Sequence, residues 1–129
     1  MYYKVVTAGE LGSACVREWA QVWYVPGKWV KAQEWLARHG YHLTVFSSLE
    51  TARIFKNSLR FPDEYEIWEV EINEIVPLPP PLEIIGLSHH EFRDYYPDHW
   101  WEDTVMAKQV KLIRRIEWVE KGKLKQLVL

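Results

Sequence analysis

The sequence predicts a single α+β domain built on a mostly antiparallel, curved sheet of about six strands, with one well-capped helix and one short helix. Three observations predict it. Aromatic and β-branched runs recur along the chain with turn residues between them. Only one segment joins a strong helix cap to apolar residues near helical spacing. Finally, 129 residues with 48% hydrophobic content supply one core rather than two.

Residues 2–7, Tyr-Tyr-Lys-Val-Val-Thr, read as a first strand stopped by Ala8-Gly9. Residues 19–25 read as a second, with Trp19, Gln21, Trp23 and Val25 on one face and Ala20, Val22 and Tyr24 on the other. Both faces are largely apolar, which predicts a central strand, and Pro26-Gly27 ends it. Residues 29–38 carry Val30, Trp35 and Leu36 among charged residues and close on His39-Gly40, the pattern of a short helix. A compact strand at 41–46 follows. Ser47-Ser48-Leu49-Glu50 then supplies a capping box, with Ser47 as the cap and Glu50 reaching back. That helix continues through Ala52, Ile54, Phe55 and Leu59 and stops at Phe61-Pro62-Asp63.

Residues 65–72 alternate, Trp68, Val70 and Ile72 against Glu69 and Glu71, with Glu66 on the apolar side at the entrance. This predicts a half-exposed strand with an acidic outer stripe. Pro77, Pro79, Pro80 and Pro81 make a stiff connector, and residues 82–87 suggest a short edge strand. Residues 88–103 have no period and read as a long aromatic and acidic loop or short helix. Residues 110–118 alternate again, Val110, Leu112, Arg114, Ile116 and Trp118 opposite Lys111, Ile113, Arg115 and Glu117. Lys121-Gly122-Lys123 fits a tight hairpin into a last strand at 124–129.

Sixteen Lys and Arg against eighteen Asp and Glu leave a net charge of −2, and 26% charged residues describe a soluble globule. No run approaches the roughly 18 apolar residues of a membrane span, and the N-terminus lacks the order of a signal peptide. The expectation is a cytoplasmic protein, acting in the host cell, with no membrane partner. Cys15 stands alone, which excludes an internal disulfide and a thiolate cluster. Abundant Glu with two Asn and two Met leans toward a thermophilic host.

Catalytic signatures are missing. His89, His90, Glu91, Asp98, His99, Glu102 and Asp103 share one segment, but adjacent histidines do not form a metal-ligand spacing, so no metal is expected. Cys15 lacks an activating neighbour, and no serine sits in a nucleophile elbow. Glycine-rich phosphate loops are absent, and neither a catalytic residue nor a cofactor is expected. Lys108, Lys111, Arg114, Arg115, Lys121, Lys123 and Lys125 form a basic concentration, which keeps nucleic-acid or nucleotide binding as one alternative.

Residues 41–55, Tyr-His-Leu-Thr-Val-Phe-Ser-Ser-Leu-Glu-Thr-Ala-Arg-Ile-Phe, resemble a segment of the ADP-ribosyltransferase fold. The resemblance implies an NAD pocket beside this strand and helix, with Glu69 or Glu71 as carboxylate and Tyr41 and His42 nearby. Where that family carries Arg or His on its first strand, this chain offers Lys4 and Thr7. The wider layout resembles small phage and prophage proteins: an opening Tyr-Tyr-Lys-Val-Val, a Val-x-Tyr-x-x-Gly-x-Trp-Val at 22–30, and Ile67-Trp68-Glu69-Val70-Glu71.

The leading expectation is a non-catalytic, phage-encoded interaction protein that inhibits or modulates a host machine such as RNA polymerase or a defence nuclease. Eight tryptophans are too many for so small a core, and Trp and Tyr anchor interfaces. Tyr95, Tyr96, Trp100 and Trp101 are the expected contacts, with Asp94, Asp98, Glu102 and Asp103 complementing a basic partner.

Overall fold

A computed structural model describes residues 1–13, 22–79 and 100–127. The elements run β1 (Tyr2–Thr7), β2 (Trp29–Val30), α1 (Glu34–Ala37), β3 (Leu43–Phe46), α2 (Leu49–Ser58), a 3-10 turn (Pro62–Glu64), β4 (Tyr65–Val76), β5 (Thr104–Glu120) and β6 (Lys123–Gln126). Among the described residues the strands form one six-stranded sheet whose pairs are all antiparallel, consistent with an α+β domain on an antiparallel sheet. β5 is the organiser, pairing with β2, β3, β4 and β6. Because β4 also pairs β1 and β1 pairs β3, the four strands β1, β3, β5 and β4 close into a ring.

Apolar residues on both faces of this ring form two clusters. Tyr3, Val5, Phe46, Ile67 and Ile116 pack against Ala52 and Phe55 of α2 and against Leu59, its C-cap. On the opposite face Val6, Val45, Trp68, Val70, Val110 and Leu112 pack with Val22 and Tyr24. Each fully buried aliphatic side chain contributes about 1.5–3 kcal/mol, so the two layers together hold the ring.

Two bulges in β5 make that double-sided core possible. Val70 pairs Leu112 and Glu69 pairs Arg114, which leaves Ile113 extra; Trp68 pairs Arg115 and Ile67 pairs Glu117, which leaves Ile116 extra. An extra residue shifts the side-chain alternation by one. Ile116 therefore joins the α2 cluster while Val110 and Leu112 stay in the other. The regular alternation expected for 110–118 fails at these two points, because it assumed an unbroken ladder.

Helix α2 begins one residue later than expected. The Ser47 amide donates to the Asp103 carbonyl at 2.9 Å, keeping the chain extended there. Ser48 is the cap, its Oγ accepting from the Thr51 amide at 3.3 Å. Ile54 faces solvent rather than the core. At the other end of the chain Lys121 and Gly122 both take positive φ, 51° and 75°, the tight hairpin turn that the sequence announces.

Other expectations need larger corrections. Residues 14–21, 80–99 and 128–129 lie outside the described residues, and with them most of the expected strand 19–25, the edge strand 82–87 and most of the loop 88–103. What is described of the former strand makes a single bridge, Gly12 to Trp23, rather than a central strand. Val22 and Tyr24 point inward while Trp23 and Val25 face water. The expected helix 29–38 divides into β2 and the one-turn α1, since Trp29 and Val30 pair with Lys111 and Val110. Strand β4 runs four residues beyond Ile72, and β5 starts six residues before Val110.

Candidate functional site

Of the expected contact residues, Asp94, Tyr95, Tyr96 and Asp98 lie outside the described residues. Trp100 is half-buried, and its indole N–H donates to the Pro79 carbonyl at 2.8 Å. Trp101 packs on the α2 cluster, edge-on to Phe55 with ring centroids 5.4 Å apart. Glu102 is exposed. Asp103 receives the Thr51 hydroxyl at 2.8 Å, so a carboxylate sits in the first turn of α2, where the helix dipole favours it. The described end of this run therefore closes the start of β5 onto α2.

Among the described residues, exposed apolar surface includes Trp23 and Val25, before β2, and Trp29 at its start. Trp23 is 52% exposed, Val25 55% and Trp29 43%. The Lys111 ammonium sits 4.7 Å from the Trp29 ring centroid, a cation–π contact that orients the indole. Composition alone announced surplus tryptophan. Which tryptophans stay outside depends on the bulges and the bridge, and no local pattern shows it.

The acidic stripe of β4 faces basic residues of β5 across the ladder. Arg114 donates to Glu69 at 2.6 Å, Lys111 reaches Glu71 at 3.3 Å, and Lys108 reaches Glu74 at 2.5 Å. Arg115 lies 3.5 Å from Glu66, whose carboxylate also accepts the Trp68 indole N–H. The residues proposed to bind nucleic acid along β5 are thus matched one by one with carboxylates. Glu69 and Glu71, the carboxylates implied by the ADP-ribosyltransferase resemblance, are held in these same pairs.

Where the β2–α1 segment meets the far half of the β4–β5 hairpin, a cleft of about 460 Å³ opens. Lys31, Glu34, His42, Glu74, Lys108 and Gln109 line it, with Ala32 and Ala37. Glu74 holds φ at 59° within a strand, a left-handed conformation that costs a side-chain-bearing residue about 1–2 kcal/mol. Burial lowers the pKa of His42 below its usual 6.5; Lys108 lowers it further, and Glu74 opposes both. The neutral ring is therefore favoured. Beside it Tyr41 is buried, which raises its phenol pKa. Among the described residues no three metal-ligating side chains converge, and no helix is long and apolar enough to cross a membrane.

Of the residues lining this cleft, the sequence singled out His42 and Lys108. Its members come from four separate stretches, and the register that sets Glu74 beside Lys108 is a tertiary fact. Comparison with known proteins brings no identification: no family model, no curated protein and no solved structure matches this chain.

Proposed function

We propose that the protein is a non-catalytic interaction module that docks through the aromatic stretch from Trp23 to Trp29. One observation carries this reading: three large apolar side chains within seven residues are left about half in water. Such side chains anchor protein interfaces because they bury a large area at small entropic cost. From the sequence alone, Asp94, Tyr95, Tyr96, Asp98 and Glu102 are proposed as a separate contact with a basic partner. The resemblance of the sequence layout to small phage and prophage proteins motivates a host machine, such as RNA polymerase or a defence nuclease, as the proposed partner.

Affinity capture from host lysate, run in parallel with the parent and a Trp23→Ala/Trp29→Ala double variant, tests the reading. It predicts one stoichiometric partner bound by the parent and lost by the variant, at an unchanged melting temperature. No partner, or equal recovery by both forms, overturns it.

A further inference from the structure

We propose that the cleft beside α1 binds a small zwitterion of the amino-acid class, its ammonium group taken by Glu34 and Glu74 and its carboxylate by Lys31 and Lys108. The cleft's volume, about 460 Å³, falls within the range of small-molecule sites. Its charges select the ligand. Two cations and two anions line one space, so a simple anion meets Glu34 and Glu74, and a simple cation meets Lys31 and Lys108. Only a ligand carrying both signs meets a partner for each.

The Glu74–Lys108 pair makes the exchange inexpensive. Both side chains are about half exposed, and an ion pair in water contributes little. A bound zwitterion replaces that one internal contact with two ionic contacts of its own. His42, whose neutral form burial and Lys108 favour, adds a ring nitrogen that accepts and one that donates without disturbing the charge balance. Glu74 also retains a left-handed backbone that a glycine or asparagine would hold more easily, and strained positions of this kind gather at ligand sites.

Saturation-transfer NMR on the full chain tests this, using the common free amino acids at millimolar concentration and their N-acetyl amides, which keep the side chains but lack both charges. The proposal expects transfer to free amino acids, none to the capped forms, and affinity weakened several-fold in Glu74→Gln and in Lys31→Gln. In the parent, amide shift changes should gather at residues 31–34, 42, 74 and 108–109, a readout that stands even if a variant loses its fold. Absence of transfer to any free amino acid, equal transfer to the capped forms, or shift changes elsewhere overturns the proposal.

Discussion

Two lysine–glutamate pairs divide this molecule into contrasting regions. Under α2, Glu117 accepts from Arg53 at 3.1 Å and from Gln126 at 3.0 Å, and Lys56 lies 3.4 Å away; the Lys56 and Glu117 side chains are 3% and 4% exposed. At the cleft, Glu74 and Lys108 approach more closely yet stand about half in water. Distance alone would rank the second pair stronger. Burial reverses the order, because a desolvated charge depends on its partner and a hydrated one does not. The α2 side spends its charges on holding the ring together, whereas the β2–α1 side leaves charges and aromatic rings available to something else.

The sharpest way to break this contrast is Glu117→Ala. It strands the Lys56 ammonium in a closed core, and denaturant unfolding should show a loss of about 3–5 kcal/mol. Next comes Trp101→Ala, which opens a gap over Phe55 and should cost about 3 kcal/mol. If Trp101 instead serves as a free contact, its removal will leave stability nearly unchanged. Ser48→Ala removes the α2 cap for about 1 kcal/mol, and Ser47→Ala, despite the sequence pattern, should cost less. Smallest of all, Glu74→Gln should change stability by no more than about 0.5 kcal/mol.

That same substitution has a spectroscopic signature. His42 titrates below 6.5 in the folded chain because of burial and Lys108. The unfolded chain therefore takes up the proton first, so the His42 contribution to stability is complete above pH 6.5 and is lost as pH falls through the folded value. NMR titration should place its midpoint lower still in Glu74→Gln and higher in Lys108→Met. Unchanged midpoints in both variants would detach His42 from the cleft pair.

How much of this was legible in the sequence follows the range of the interactions. β1 is read to the residue, since Tyr-Tyr-Lys-Val-Val-Thr is a local β-former with a local stop. The Lys121-Gly122 turn is equally local. Helix α2 is displaced by one residue because Ser47 and Ser48 are chemically alike, and only the distant Asp103 carbonyl decides between them. Residues 104–109 lack an apolar alternation, so the first turns of β5 went unread although Leu43 to Phe46 pair with them. The bulges at Ile113 and Ile116 leave no trace in a residue pattern. The cleft was the least legible feature, being made by chain segments that meet only once the ring has closed.

Hydroxyl-radical footprinting of the free protein and of the protein with its captured partner tests the central claim most directly, that Trp23 and Trp29 are open for docking while Trp68 and Trp101 are packed. The account predicts rapid oxidation of Trp23 and Trp29 in the free protein, slow oxidation of Trp68 and Trp101, and protection on partner binding that falls on the peptide spanning residues 22–30. Equal oxidation of all four tryptophans, or protection confined to α2, would contradict it.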